Sequence, residues 1–313
     1  MISYTANGET MNANRINIED INQNIKENSN KLIEESEQFF TAQVNKVANF
    51  LMQKREVKFV LLAGPSSSGK TTTSKILSQN LQNNGFDALA ISLDDFFVDR
   101  EQTPLWKDGT YNYETYDAID WELFGNCMQN LILGKEAYLP IYNFKTGYKE
   151  ASQNAVKLKD DTIVIIEGLH ALNPIVDKYI PKEKSLKVYT SVNTDIYKNK
   201  KLFMLKENVR FFRRLIRDLF TRNISIEQTT AYWQKVNLGE ELYIRPYIER
   251  AQIRIDSFHP YELGAYDNVM KSFSHFSSGH LTEAKKVLEA FAEIDFKLVP
   301  KTSVLQEFLP KID

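Results

Sequence analysis

Cysteine is nearly absent from this chain, and so are long apolar runs. Among 313 residues there is one cysteine, Cys127, which excludes an internal disulfide and a zinc cluster built from cysteines. No stretch approaches the roughly 18 apolar residues that a membrane-spanning helix needs, and residues 1–11 are polar, without the apolar core of a signal peptide. We therefore expect a soluble protein of the reducing cytoplasm with no membrane partner.

Net charge is also scarce. The 39 lysines and arginines nearly balance the 41 aspartates and glutamates, which leaves a formal charge of −2 at pH 7. This balance carries no global signature of binding to nucleic acid or to an anionic membrane, so a nucleic-acid partner is not expected. The chain is long enough to bury a substantial core as one large domain or two small ones, and its ligands must be inferred from local motifs.

The middle of the chain alternates short β-rich runs with helical patterns. The runs are residues 59–63, 88–93, 162–166, 186–191 and 251–256. This alternation predicts an α/β fold in which right-handed crossovers build a parallel sheet covered by helices on both faces. Polar residues follow the first three runs, and ligands of open α/β sheets bind at the carboxyl edge, so we expect the functional site there.

The two ends of the chain differ from the middle. Residues 1–55 carry apolar residues at a spacing that predicts two amphipathic helices, and helical patterns recur around residues 261–274 and 281–294. We interpret the chain as an N-terminal helical extension at 1–55, a central α/β domain at 56–257 and a C-terminal helical extension at 258–313. Both extensions are expected to pack on the core without an activity of their own.

One motif stands between the first run and a helical pattern at residues 72–84. It reads Gly-Pro-Ser-Ser-Ser-Gly-Lys-Thr and is a complete phosphate-binding loop. Its glycines let backbone N–H groups curl around an anion, and the following helix directs its positive end toward that anion. In such a loop Lys70 reaches the β- and γ-phosphates and Thr71 holds Mg²⁺. The motif predicts a user of ATP and Mg²⁺, with ATP contacts from Gly64, Pro65, Ser66, Ser67, Ser68, Gly69, Lys70, Thr71 and Thr72.

Carboxylates follow the second and third runs. Asp94 and Asp95 come at the end of the second run, where Asp94 is a candidate to accept the proton of an acceptor hydroxyl or to help bind Mg²⁺. Glu167 ends the third run in the manner of a Walker B acid, and with Thr71 and Asp94 it completes the predicted magnesium site. The alternatives are an Asx turn or helix cap for the aspartates and a simple strand-ending carboxylate for Glu167.

Two segments rich in aromatic residues are predicted to lie in connections. They are Tyr-Asn-Tyr-Glu at 111–114 and Pro-Ile-Tyr-Asn-Phe at 140–144. Aromatic faces stack on rings or sugars, and a carboxylate such as Glu114 accepts hydrogen bonds from a pair of hydroxyls. The segments predict a site for a small-molecule acceptor, with ordinary packing as the alternative.

A basic segment lies between residues 198 and 222, with nine basic and two acidic residues. An apolar helical stripe is formed by Leu205, Val209, Phe212, Ile216 and Leu219, and the cations beside it are Lys206, Arg210, Arg213, Arg214 and Arg217. In a protein with a phosphate-binding loop, such a helix is favoured as an arginine-rich lid, because guanidinium groups neutralise the charge of a transferring phosphate. A solvated surface or a polyanion site is the alternative.

Seven segments in order, spanning about residues 57–257, resemble the uridine kinase and phosphoribulokinase family of P-loop kinases. They are the loop at 64–71, Leu-Asp-Asp-Phe-Phe at 93–97, the segments at 111–114 and 140–144, Asp-Ala-Ile-Asp at 117–120, Glu-Gly at 167–168 and Arg-Arg-Leu-Ile-Arg-Asp at 213–218. The likeness is greatest to the kinase portion of long bacterial nucleoside kinases, on Glu-Gly-Leu-His-Ala-Leu-Asn-Pro at 167–174. It implies a P-loop NTPase fold between the two helical extensions.

The resemblance also implies roles for single residues. By position, Asp94 matches the catalytic base, Glu114 the ribose-binding acid and Tyr142 the aromatic acceptor contact. The three lid arginines are matched by Arg214, Arg217 and Arg222. With Lys70 and Arg217 as charge stabilisers, the implied enzyme transfers the γ-phosphoryl group of ATP to the 5′-hydroxyl of a nucleoside such as uridine or cytidine. Related kinases assemble, so a homo-oligomer is an expectation as well.

Two positions depart from the pattern of uridine-cytidine kinases. Where those kinases have a His that contacts the base, this chain has Gly147, and where they have Arg-Gly-Arg in the lid it has Arg-Asn-Ile at 222–224. Both changes remove polar contacts to the acceptor. The other functions that stay open are a kinase of a sugar phosphate or another small metabolite, an ATP-binding regulatory module with little turnover, and an RNA-binding surface on the basic segment.

Overall fold

A computed structural model describes residues 13–150, 155–272 and 279–311. The strands are β1 (Asn14–Asn17), β2 (Phe59–Ala63), β3 (Ala88–Ser92), β4 (Ala137–Tyr138), β5 (Ile141–Asn143), β6 (Tyr148–Glu150), β7 (Ala155–Val156), β8 (Ile163–Glu167), β9 (Ser185–Ser191), β10 (Thr194–Lys198), β11 (Lys201–Met204) and β12 (Ile253–Asp256). The α-helices are α1 (Ile18–Gln53), α2 (Lys70–Asn83), α3 (Trp121–Ile132), α4 (Lys206–Thr221), α5 (Ile226–Gly239), α6 (Glu262–Ser272) and α7 (Gly279–Leu288).

A five-stranded parallel sheet forms the centre of the fold, in the order β12, β9, β2, β8, β3. The predicted parallel α/β sheet is confirmed, and the predicted runs differ from the observed strands by at most two residues at either end. Because β2 lies in the middle, with β8 on one side and β9 on the other, whatever follows β2 lies at the centre of the carboxyl edge.

Strand β2 shows how the sheet divides the core. Val60 and Leu62 belong to an apolar cluster that takes in α1, α2, α4 and α6, whereas Leu61 and Ala63 belong to a second cluster with α3. Successive side chains of a strand point to opposite faces, so burial of all five β2 residues requires cover on both faces. Helices supply that cover, as expected for an α/β protein.

The two helices predicted for the N-terminal stretch are present as the two parts of α1. They meet at a kink at Asn28, where the backbone is not helical, with φ −163° and ψ 87°. The side chain of Asn28 accepts a hydrogen bond from the backbone N–H of Lys31 at 3.0 Å, the bond that an N-cap residue makes at a helix start. Asn28 therefore caps the start of the second helical part of α1. Residues 1–12 of the predicted extension lie outside the described ranges.

The first part of the basic segment, before the predicted helical stripe, belongs to a hairpin. Strands β10 and β11 pair antiparallel, and the turn residues Asn199 and Lys200 have φ values of 51° and 63°. Two successive residues with positive φ are typical of the tight turn that joins hairpin strands. Strand β10 also pairs in parallel with β1. The helix that carries the arginines, α4, begins after the hairpin, at Lys206.

The C-terminal helices follow the predicted pattern in part. The pattern at 261–274 corresponds to α6, with residues 273 and 274 outside the described ranges, and the pattern at 281–294 ends earlier, at Leu288. Residues 312 and 313 of the predicted extension are likewise not described. Within the described ranges, no helix has both the length and the apolar character needed to cross a bilayer.

Both ends of the chain share the core of the sheet. Phe40 and Leu51 of α1 and Leu305 and Phe308 near the C-terminus are all buried in the apolar cluster that covers one face of the sheet. The C-terminal stretch contains a 3₁₀ turn, Val304–Glu307. This turn brings the last described part of the chain against the carboxyl edge of β2.

Candidate active site

Three neighbouring strands deliver polar residues to one edge of the sheet. Strand β2 leads into Gly64, β3 into a 3₁₀ turn that contains Asp94, and β8 ends at Glu167. Strand β8 lies between β2 and β3, and Ser92 stands opposite Glu167 in the ladder. The loop and the two acids predicted from separate parts of the sequence are therefore adjacent.

The loop after β2 has the backbone of a phosphate cradle. Ser67 and Gly69 have φ values of 59° and 85°, conformations in which successive N–H groups form an anion-binding nest. A Cβ on Gly64 would lie 2.1 Å from the carbonyl oxygen of Thr190, so glycine is required where the loop passes β9. The ammonium group of Lys70 donates to the carbonyl of Pro65 at 3.1 Å and so lies folded over the loop.

Thr71 and Glu167 are in direct contact. The Thr71 hydroxyl donates to Glu167 Oε1 at 3.2 Å. Burial raises the pKa of Glu167 to about 7, while Lys70 opposes the shift and Asp94 adds to it. Within the described ranges no three His, Cys, Asp or Glu side chains cluster as metal ligands. Hydroxyl and carboxylate oxygens nonetheless fit Mg²⁺, which commonly takes one or two carboxylates and completes its shell with water and substrate phosphates.

Asp94 and Asp95 have different surroundings. Ser92 caps the turn by accepting from the N–H of Asp94 at 3.3 Å, so neither aspartate serves as the cap. Burial raises the pKa of Asp94, and the nearby cations Lys70 and Arg222 oppose that shift. Asp95 instead accepts from the backbone N–H of Tyr142 at 3.3 Å. Asp95 therefore anchors β5, and the carboxylate of Asp94 is the one beside the loop.

An aromatic cluster lies next to these acids and consists of Phe97, Tyr113, Tyr142 and Phe144. Phe97 contacts the other three with ring centroids 5.5 to 6.0 Å apart, in edge-to-face geometry. Tyr142 is buried, and burial raises the pKa of its hydroxyl to about 12. Phe144, by contrast, is 60% exposed, so the cluster offers an accessible aromatic surface to a ligand.

Glu114 is a buried acid between this cluster and α5. Burial raises its pKa to about 7, and the charges of Arg214 and Lys70 oppose the shift. A Cβ on Gly239 would lie 2.3 Å from the Cβ of Glu114, so the close approach of α5 depends on a glycine at that position. The pKa of Glu114 therefore lies close to neutral pH.

Helix α4 presses four arginines against the loop. These residues are Arg210, Arg213, Arg214 and Arg217, and each donates a hydrogen bond to a backbone or hydroxyl oxygen of the loop over 3.0 to 3.4 Å. Arg222, the third predicted lid arginine, makes an ion pair with Asp218 at 3.2 Å, and its side chain is 47% exposed. Arg222 nevertheless lies close enough to Asp94 for its charge to oppose the rise of the Asp94 pKa.

The sequence did not single out two residues of this site. Tyr232 on α5 lies under the guanidinium of Arg214, with the guanidinium carbon 5.3 Å from the ring centre. Burial is the main cause of the raised pKa of Tyr232, and the negative charge of Glu114 adds to it. Glu307 accepts from the hydroxyl of Thr72 at 3.0 Å. Neither residue stands in a motif, and only the fold brings them to the loop.

The fold and the site define a P-loop nucleotide-binding protein: a central parallel strand, a glycine-containing nest and a helix that starts with Lys-Thr. The model of the phosphoribulokinase / uridine kinase family matches residues 59–262, and the chain belongs to this family. It is therefore an ATP-dependent phosphotransferase that acts on an alcohol group, and Mg²⁺ use is general in such kinases.

Individual relatives agree with this assignment. The chain is 29% identical over 208 residues to a uridine kinase of Brevibacillus brevis, an alignment that covers 66% of this chain and 86% of the relative. It is 27% identical over 195 residues to a uridine kinase of Halobacterium salinarum, covering 62% and 77% of the two chains. The solved structure of a possible uridine kinase from Bacillus stearothermophilus superposes with a TM-score of 0.46 at 20% identity, over 69% of this chain and 98% of that one. The family assignment does not depend on that superposition.

Proposed function

We propose that this chain transfers the γ-phosphoryl group of ATP to the 5′-hydroxyl of a nucleoside of the uridine or cytidine kind. The observation that carries the proposal is the aromatic cluster beside the buried acid Glu114, next to the phosphate loop. Aromatic faces stack on a planar base, and a carboxylate accepts hydrogen bonds from a pair of ribose hydroxyls. The names of the relatives, which are uridine kinases, support the same acceptor.

Asp94 is the proposed base. Its carboxylate takes the proton of the acceptor hydroxyl while that oxygen bonds to the γ-phosphorus and the bond from phosphorus to the β–γ bridging oxygen breaks. A carboxylate with a raised pKa is a stronger base than an ordinary aspartate, which favours proton transfer. Lys70 and Arg222 oppose the rise and so help to keep Asp94 ionised and able to accept.

Lys70 and Arg217 are the proposed charge stabilisers. Lys70 lies over the loop, and Arg217 donates to the hydroxyl of Ser67 at 3.2 Å. Phosphoryl transfer depends mainly on positioning and on neutralising charge on the phosphate oxygens, which an ammonium and a guanidinium at the loop supply. Arg214 and Arg222 are proposed to assist on the acceptor side, with Arg214 bonded to Ser66.

Thr71, Asp94 and Glu167 are proposed to hold Mg²⁺. The contact between the Thr71 hydroxyl and Glu167 at 3.2 Å puts two hard oxygen ligands together beside the loop, and Asp94 lies close enough for its charge to act on Glu167. When bound there, Mg²⁺ supplies positive charge to the β- and γ-phosphate oxygens.

One observation favours a second candidate acceptor, a sugar phosphate or another anionic metabolite. The guanidinium of Arg100 fills the space beside Gly147, where a Cβ would fall 2.5 Å from Arg100 Nε. Arg100 also donates to the carbonyls of Phe144 and Lys145 at 3.1 and 3.3 Å. A guanidinium at the rim of the aromatic cluster suits an acceptor that carries a phosphate or carboxylate.

The test is ATP consumption with Mg²⁺ against ribonucleosides, deoxyribonucleosides and sugar phosphates, with Asp94→Ala as the control. The proposal predicts that uridine or cytidine is converted to its monophosphate by the wild type and not by the variant. An Arg100→Ala variant should lose activity only if the acceptor is anionic. Turnover of a sugar phosphate without turnover of any nucleoside would replace the first candidate by the second.

A further inference from the structure

The chain beyond the family match returns to the phosphate loop. Residues 303–309 lie outside the matched range, yet Val304 is fully buried against the loop. A Cβ on Gly69 would lie 2.4 Å from Val304 Cγ2, so Gly69 and Val304 are fitted to each other. The C-terminal segment, which we define as residues 303–309, is therefore a direct neighbour of the loop.

Glu307 of this segment binds two groups beside the loop. Its Oε2 accepts from the Thr72 hydroxyl at 3.0 Å, and its Oε1 accepts from Arg217 Nη1 at 3.2 Å. The other terminal nitrogen of Arg217, Nη2, donates to Ser67 Oγ at 3.2 Å. One carboxylate thus bridges the first turn of α2 and the arginine of α4 that touches the loop.

This carboxylate stands near the place where phosphates bind. The phosphates of a nucleotide lie at the start of the helix that follows the loop and against its lysine, here the start of α2. Burial and the charge of Arg222 lower the pKa of Arg217, to about 10, while Glu307 opposes both effects. In the free protein Glu307 therefore offsets the cost of a crowded, desolvated guanidinium. A bound triphosphate brings negative charge to the same place, where like charges repel.

The C-terminal segment is anchored and does not need to leave for this exchange. Phe308 has 0% exposure, and the guanidinium carbons of Arg213 and Arg217 lie 5.2 and 5.7 Å from its ring centre. Such contacts favour cations over an aromatic face. A change of partner at the head of Arg217 is thus a local side-chain event.

We propose that Glu307 is an internal competitor of the phosphates of ATP and so sets the affinity of the donor site. In the free enzyme Glu307 holds Arg217; when ATP binds, phosphate oxygens take over the guanidinium and the remaining carboxylate repels them. Glu307 acts through Arg217 and is a positioning residue. The inference deepens the proposed donor site and rests on it.

The test is calorimetric titration with MgATP, and with magnesium tripolyphosphate as a probe without base or ribose, in the absence of acceptor. Glu307→Gln removes the charge but keeps an oxygen that accepts from Arg217, and we expect Kd for both ligands to fall roughly 3- to 10-fold. Glu307→Asp keeps the charge and should stay within about twofold of the wild type. Glu289→Gln, an exposed site, makes the same change of net charge and should leave Kd unaltered.

The outcomes are distinguishable. Unchanged or weaker binding by Glu307→Gln, or an equal gain in Glu289→Gln, overturns the inference. A wild type that binds neither ligand overturns the proposed donor site and the inference with it. Thermal unfolding checks the fold of each variant, and Glu307→Ala provides a second removal of the charge if the amide is not tolerated.

Discussion

Two arginines one turn apart on α4 have contrasting partners. Arg213 is 0% exposed and grips both oxygens of Glu262, itself 0% exposed, at 2.7 and 3.0 Å. Arg217 is 12% exposed and divides its bonds between Ser67 and Glu307, whose side chain is 20% exposed. Arg213 is held by a sealed bidentate pair, whereas Arg217 holds single bonds that water or phosphate oxygens can replace.

The neighbouring pair repeats the difference. Arg210 is 1% exposed and paired with Glu240, whereas Arg214 is 13% exposed, donates to the Ser66 hydroxyl and shares Asp218 with another arginine. A basic helix face is therefore not one functional unit. Partner and burial, rather than residue type, separate the arginines that hold the fold from those proposed to serve the phosphate.

The largest effect is expected from loss of the sealed pair. Arg213→Ala leaves Glu262 buried without its guanidinium, and breaking such a pair from one side costs about 3–5 kcal/mol of unfolding free energy. Arg245→Ala, which breaks a pair with Glu207 at a side chain 50% exposed, should cost less than about 1 kcal/mol. Urea unfolding followed by circular dichroism measures both, and equal losses would remove the distinction.

The second prediction concerns the arginine with replaceable bonds. Arg217→Met should lower kcat/KM for phosphoryl transfer by roughly 10²- to 10³-fold, because one preorganised charge at the transferring group is lost. Its unfolding free energy should fall less than that of Arg213→Ala, because methionine keeps the apolar stem in place and Glu307, which is 20% exposed, keeps its bond from Thr72. An Arg217→Met protein with full activity and a fold as damaged as that of Arg213→Ala would reverse the comparison.

Glu114 extends the comparison of partners and burial from the arginines to an acidic side chain. Its folded pKa of about 7 lies above the ordinary 4.5, so the folded state binds more protons between these pH values and stability falls as pH rises through them. Lys70, Arg214, Asp94 and Glu240 are the charges that face it. Glu114→Gln removes the cost of ionisation, and we expect a gain on the order of 2 kcal/mol at pH 8.

The gain in Glu114→Gln should vanish at pH 4.5, where the wild-type carboxyl is already protonated in the fold. Chemical denaturation at the two pH values measures it. Glu293→Gln serves as control, because the pKa of Glu293 is lowered by its bond to Lys271 and its loss should not stabilise the protein at pH 8. A Glu114→Gln protein that is less stable at pH 8 would contradict the assigned protonation.

The smallest effect is expected at the exposed arginine. Arg222 opposes the rise of the Asp94 pKa, but its side chain is 47% exposed and solvent screens its charge. Arg222→Ala should therefore move the acid limb of the kcat/KM profile upward by only a few tenths of a pH unit. Arg217 opposes the rise of the Asp94 pKa less than Arg222 does, so the limb should move upward by no more than this in Arg217→Met. A downward shift in either variant would exclude Asp94 as the titrating group.

Much of the fold could be predicted because local signals agreed with it. Strands β2 and β8 are short apolar runs that end in turn residues, and the loop motif fixes both its own geometry and the start of α2. The parallel direction of the strands then follows from the crossovers. The resemblance adds an order of motifs that periodicity alone does not give, so the sequence already indicates Asp94 and Glu114 as site residues.

The rest depended on contacts between distant parts of the chain. The bond from Thr72 to Glu307 spans 235 residues, and the bond from Arg217 to Ser67 spans 150. No local pattern announces such pairs. The hairpin of β10 and β11 was missed for another reason: the apolar stripe that indicates a helix begins at Leu205, and the residues before it were recognised only as basic.

The proposed role of Asp94 as the base is the central claim, and Asp94→Asn tests it most directly. Phosphate transfer from γ-labelled MgATP to uridine and MgATP binding should be measured on the same preparation. The account predicts a rate lower by about 10³-fold with Kd for MgATP changed by less than about threefold. A variant that binds MgATP and transfers phosphate at the wild-type rate would contradict the account.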